Sequence, residues 1–478
     1  MTRADRRPSG WGRWPRRGLM LGLVLVVLAG IALAGRQRLG HWLEDWQNRQ
    51  PTITAFRPAA AIPIDAQPAH YVALAALSRP LIGGGRLEVL GNPAAHRYPD
   101  CIQSFARNPW DLIAFAGRLY LGLGDDSNDG PSANAGPVPV YTYDPADHHF
   151  RQDTTLAEEQ LDRFYRHDGE LWIPGDDPRQ GWHWGNLYRR DAAGGWRQFR
   201  TLPRTIHTHA LAWHAGRLFA GVSVTEAVPA GLGTERHGSA VAVSADGGAH
   251  WDLIPLGGWR LFDFLHVRGQ LFATDIFPGP RIQRWLEREQ RQAFHAPVYE
   301  LEAADQTAPT RFRRRPDLDA TVLFPATPLA GRRAAVIERA LAWGTRAAYL
   351  GAFAGTGDAG PVRGAYLATS LTEGAPEVER IPLPADALAF DLRLDGTALQ
   401  VLFAEPLDAA RWTNSVWSSR DGVHWSPRLS FTATAPARAF ERLGADLYLA
   451  LGSLKPPAAD TCTPGDRLTG TLVRWHTD

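Results

Sequence analysis

The chain of 478 residues is 44% hydrophobic and 21% charged, a balance that lets it bury a large core and excludes a disordered or fibrous protein. Its formal net charge is +1, but the first 35 residues hold six arginines against one aspartate, so the remainder carries −4. That remainder has no basic footprint for nucleic acid, and no nucleic-acid partner is expected.

Residues 1–18 form a basic tail, with Arg3, Arg6, Arg7, Arg13, Arg16 and Arg17, and the apolar run Leu19–Ala34 follows. This arrangement predicts an export signal with the bulk of the chain outside the cytoplasm, because the arginine excess lies on the N-terminal side. Two readings stay open. Ala32-Leu33-Ala34 fits a cleavage site, whereas Arg36, Arg38 and the amphipathic stretch His41–Trp46 fit an uncleaved signal-anchor over 19–35. The anchor is the preferred expectation: an inner-membrane protein with its globular part in the periplasm or another extracytoplasmic space. Residues 36–84 read as a helical stub and an Ala/Pro-rich linker, with one early strand near Tyr71–Leu77.

From residue 85 onward one pattern recurs: a short apolar strand, a tight turn ending in Gly, then Leu-aromatic-apolar. DLIAFAGRLYLG (Asp111–Gly122) and ALAWHAGRLFAG (Ala210–Gly221) are clear copies. The turn glycines are Gly117, Gly169, Gly216, Gly269, Gly344, Gly396 and Gly444, spaced 47–53 residues apart except for one step of 75. That long step reads as an insertion near 278–338, containing RFRRRPD (Arg311–Asp317), a solvated loop or a lid. Each unit carries a second hairpin, so the prediction is an all-β, seven-bladed β-propeller of four-stranded antiparallel blades over 85–478. The last unit is one strand short. The missing strand is expected from Arg86–Leu90, closing the ring and covering its edge. Cys101 and Cys462 then fall on one face at the seam, which predicts a disulfide between them rather than two buried thiols.

Two of the second hairpins contain SADGGAHW (Ser244–Trp251) and SSRDGVHW (Ser418–Trp425). These resemble the Asp-box, or BNR, repeat of sialidase-like and sortilin-like propellers, in which Ser, Asp, Gly and Trp form the turn between the third and fourth strands. In the second copy the acid and glycine sit at Asp421 and Gly422, so the spacing between them is altered by one position. The resemblance implies a fold and a structural turn; it brings no active site. The only Arg-Ile-Pro, Arg380–Pro382, is in the wrong place for the sialidase motif.

Loops after the second and fourth strands of a blade share one face, and that face is expected to carry the site. The candidates are the paired acids Asp125-Asp126 and Asp176-Asp177, the aromatic loop with His183 and Trp184, the strand pair His207 and His209, and Glu226. An acidic pocket walled by Trp and His suits a sugar, a cation or a basic peptide, and two separated carboxylates suit acid–base catalysis. The competing reading is that Asp and Gly merely terminate strands. Asp125, Ser127 and Asp129 also match the opening of a calcium loop, although Gly136 stands where the bidentate acid is expected. No cofactor is expected apart from that candidate Ca2+. The leading functional expectation is a membrane-anchored binding or scaffolding module for a protein or glycan. The alternative is a carbohydrate-active enzyme, a glycosidase or lyase, using these carboxylates.

Overall fold

The computed structural model describes residues 50–478 apart from 59, 67–76, 78–79, 128–129, 226–236, 257, 277–295, 303–308, 330–331, 356–361, 458–460 and 477–478. The expected export segment over 19–35, the strand near Tyr71–Leu77 and the candidates Glu226 and Asp129 lie wholly or mainly outside these residues. No helix among the described residues is long and apolar enough to cross a membrane.

The described strands form seven antiparallel sheets, each with a core of four strands in meander order. Blade 1 starts at Asp111–Phe115, blade 2 at Tyr165–His167, blade 3 at Thr205–His214, blade 4 at Arg260–Val267, blade 5 at Arg332–Trp343, blade 6 at Leu388–Asp395 and blade 7 at Ala437–Leu443. All seven turn glycines have positive φ, between 59° and 77°. An added Cβ would meet nothing within 4 Å at any of them, so the left-handed backbone alone selects glycine there.

Period-2 alternation in the strands becomes packing between blades. In Asp446–Leu451 of blade 7, Leu447, Leu449 and Leu451 pack with blade 6, while Tyr448 and Ala450 pack with blade 1. Each of the seven blade interfaces has one such apolar cluster, so the core is a ring of wedges. The last blade takes its fourth strand, Arg86–Gly91, from the N-terminal side, with Val89 opposite Val473. Near this seam Cys101 and Cys462, separated by 361 residues, are bridged with Cα atoms 6.0 Å apart.

Two segments differ from the sequence reading. Within the linker, Thr52–Phe56 adds a fifth strand to blade 2 and Ile62–Ile64 adds one to blade 1. They cover edges that would otherwise present unpaired backbone groups. Within the span read as an insertion, Val298–Leu301 and Phe312–Arg314 are the two outer strands of blade 4. Arg315, in the basic RFRRRPD stretch, is no solvated charge: it is 2% exposed and pairs with Glu300 and Asp317. A short strand dense in charge lacks the alternation that marks the others.

The two Asp-containing turns brace neighbouring blades. Asp246 accepts from the backbone N–H groups of Ala249 and His250, and the Trp251 indole donates to Gly248 O and to Thr201 of blade 2. Asp421 likewise accepts from Val423 and His424, with Trp425 donating to Gly422 O. The hydroxyl that braces this second turn belongs to Ser419, which explains the displaced spacing.

Around the ring axis, buried aspartates clasp adjacent blades. Asp111 accepts from Phe164 N, Asp263 from Ala340 N and Asp391 from Phe440 N, in each case across to the next blade. Arg339 lies 3.0 Å from both Asp111 and Asp391, Arg393 pairs with the same two acids, and Arg163 lies 2.6 Å from Asp263. Burial pushes the Asp111 carboxyl up, but Arg339 and Arg393 overrule it and hold it below the ordinary range.

Candidate functional site

On this charged floor rests a bowl of about 280 Å³ to which all seven blades contribute. Pro109, Trp110 and Asp126 come from blade 1, Gln160, Asp162 and Arg163 from the approach to blade 2, and His209 from blade 3. Blade 4 adds Arg260 and Phe262, blade 5 adds Glu338, Arg339 and Arg363, blade 6 adds Phe390 and blade 7 adds Arg438.

One backbone device delivers five of these side chains. The innermost strands of blades 3 to 7 each break register at an equivalent residue, His209, Phe262, Glu338, Phe390 and Arg438, with a second break nearer the strand's start in blades 3 and 5. A bulge leaves that residue unpaired and turns its side chain out of the sheet, here into the bowl. In blades 1 and 2 the first strand starts later, and Trp110, Asp162 and Arg163 precede it. Each of these residues stands six or seven positions before its turn glycine, a signal present in the sequence but unread.

The acidic half of the bowl lies on blades 1 to 3. Isolated bridges run Gly124 to Gln160, Gln160 to Asp176 and Asp176 to His207, stitching the three blades' loops together. A Cβ on Gly124 would fall 2.5 Å from Gln160 Cα, so this approach requires glycine. Asp126 and Asp176 meet, and each is held at about 7: burial raises both, and the neighbouring carboxylate raises Asp126 further. Among the described residues the buried Asp176 Oδ2 has no N–H or hydroxyl donor, which fits a proton shared with the Asp126 carboxyl. Its other oxygen is hydrogen-bonded with His207 Nδ1 at 2.5 Å. Burial, helped by Arg260, lowers His207 to about 4, so its ring is neutral near pH 7. The His207 and His209 rings stack at 5.3 Å, and His209 stacks on Phe262 at 4.6 Å. Asp162, beside them, is pushed up by burial and by Asp176 and Asp126.

The opposite half is cationic. Arg363 is paired with Glu338, and its guanidinium lies 5.4 Å from the Phe390 ring. Arg438 lies 4.4 Å from the Trp110 ring and 5.6 Å from Phe390, and donates to the Ser453 carbonyl.

The remaining sequence candidates lie apart from the bowl lining. Asp125 is fully buried, and its carboxylate accepts from Ser127 and Ser132 within its own loop. Asp177 takes a left-handed backbone, φ 56°, and accepts from the Trp182 indole at 2.7 Å. His183 is exposed, and Trp184 begins a strand of blade 2. Among the described residues no group of three His, Cys, Asp or Glu side chains is disposed to hold a metal ion. Sequence reasoning found Asp126, Asp176, His207 and His209 but missed Asp162, Glu338, the arginines 163, 339, 363 and 438, and the rings Trp110, Phe262 and Phe390. A wider hollow of about 760 Å³ beside residues 57–61 is lined by charges that pair with one another, such as Arg118 with Asp144 and Arg190 with Asp153.

No protein family and no curated protein matches the chain. Among solved structures it is similar to a PL25 ulvan lyase, a polysaccharide lyase, at 10% identity and TM-score 0.45 over 78% of this chain and 94% of that one. It is also similar to a puromycin-hydrolysing peptidase of Mycobacterium tuberculosis, at 12% identity and TM-score 0.43 over 79% of this chain and 53% of that one. An endo-arabinase from Bacteroides thetaiotaomicron matches at 12% identity and TM-score 0.30, over 56% and 91%. At these values the likeness is one of propeller fold, which hosts many unrelated functions.

Proposed function

We propose that the bowl is a small-ligand site of a carbohydrate-active enzyme, and that Asp126 and Asp176 act there as one acid–base unit oriented by His207. The observation that carries this reading is the convergence of a buried pair of adjacent carboxyls and three aromatic rings on one sugar-sized hollow lined from every blade. A group titrating at about 7 both gives and takes protons near neutrality, and ring faces suit the apolar face of a sugar. Because the two carboxyls touch, they do not stand apart as the acid and base of a two-carboxylate glycosidase must. A single proton-transfer centre fits a lyase better, with Asp126 facing the ligand and Asp176 behind it. We further propose that the propeller lies outside the cytoplasm, held through residues 19–35, and that the turns at Asp246 and Asp421 are divergent Asp-box repeats.

The test is turnover of an oligosaccharide panel by the full chain, read as new chain ends by chromatography and as unsaturated product by ultraviolet absorbance. The expected result is turnover that Asp126→Asn abolishes while the melting profile persists. Binding without turnover would return the protein to a binding module. Turnover that survives Asp126→Asn would refute the assigned centre.

A further inference from the structure

Arg438 is the least compensated buried charge in the bowl. It is 6% exposed, and its guanidinium sits between Trp110 and Phe390, where it donates to one carbonyl oxygen and, among the described residues, forms no carboxylate ion pair. Burial, and after it the neighbouring Arg363, pulls it down to about 9. Arg363 and Arg438 face the same Phe390 ring; of the two carboxylates that act on Arg438, Glu338 is engaged with Arg363, and Asp162 acts on Arg438 only as a further, weaker charge. The floor arginines, by contrast, have acids of their own: Arg163 has Asp263, and Arg339 has Asp111 and Asp391. A buried cation beside a like charge is costly unless an anion completes it, and an arginine fork matches a carboxylate in shape and charge.

The bowl is therefore divided. Hydroxyl-binding acids and histidines line one wall, cations line the other, and ring faces lie between them. We infer that the ligand is an acidic sugar, a hexuronate unit whose carboxylate is taken by Arg438 with Arg363 while its hydroxyls face the Asp126 and His209 wall. This rests on the bowl being the ligand site. It adds that charge, and not sugar shape alone, decides what binds.

The test is titration calorimetry of the full chain in mild detergent with hexuronate oligosaccharides of the gluco, galacto, manno and gulo configurations, each alongside its methyl ester. The ester keeps the shape and removes the charge. The expected result is that at least one acid binds about tenfold or more tighter than its ester, and that Arg438→Gln erases this difference. Arg438→Lys, which keeps the charge without the fork, should retain part of it and guards against a misfolded glutamine variant. Equal binding of acid and ester would overturn the carboxylate inference while leaving the bowl a neutral-sugar site. Binding of neither would overturn both.

Discussion

Asp111 and Asp126 both belong to blade 1, and both are drawn toward the ring axis, yet their surroundings are opposite. Asp111 meets two arginines and a backbone N–H, and its carboxyl is held ionised. Asp126 meets another carboxyl and is held near neutrality. The same contrast separates Arg339, which pairs with two aspartates, from Arg438, which forms no ion pair with a carboxylate among the described residues. Buried charge that is fully matched fastens blades together; buried charge left unmatched is a site waiting for a ligand's protons and charge.

Breaking the matched region should cost most. Asp111→Ala leaves Arg339 and Arg393 short of a counter-ion and frees Phe164 N, and it should destabilise the fold by about 3–5 kcal/mol in chemical denaturation. Next comes the seam. Replacing Cys101 and Cys462 by serine opens a closure spanning 361 residues and should lower stability by roughly 2–5 kcal/mol.

A smaller effect separates the two regions by pH. A carboxyl whose folded pKa is raised contributes stability that is full below its unfolded value and is lost as pH rises toward the folded value. For Asp126 the window runs from about 4, the unfolded value, to about 7. Asp126→Asn should flatten the fall in melting temperature across that window, and an unchanged slope would remove the shared proton from the account. The smallest effect belongs to the turn at Asp246, where alanine should cost about 1 kcal/mol through its lost backbone hydrogen bonds.

Much of the matched frame was legible in the sequence, because its determinants are local. A left-handed turn needs glycine, so the seven turn glycines marked the blades, and alternation marked the strands between them. The seam was legible too, since a ring one strand short has one place to find it. The outer strands Thr52–Phe56 and Phe312–Arg314 were not, because an edge strand needs no apolar face and carries no alternation. The site was half legible. Asp126, Asp176, His207 and His209 sit in polar runs that announce themselves. Glu338, Phe390 and Arg438 sit in runs that read as ordinary strand, and only a register break aims them inward. Pairing register is set by contacts between strands, which no single stretch of sequence displays.

The most direct test of the difference between frame and site is a pair of melting curves at pH 8, one for Asp126→Asn and one for Asp111→Asn. Asp126→Asn is expected to melt at or above the wild type, because it relieves a buried carboxyl pair forced to ionise, and Asp111→Asn well below it, because it leaves Arg339 and Arg393 undercompensated. Equal losses in both would make the bowl's acids part of the frame and contradict the assignment of a site.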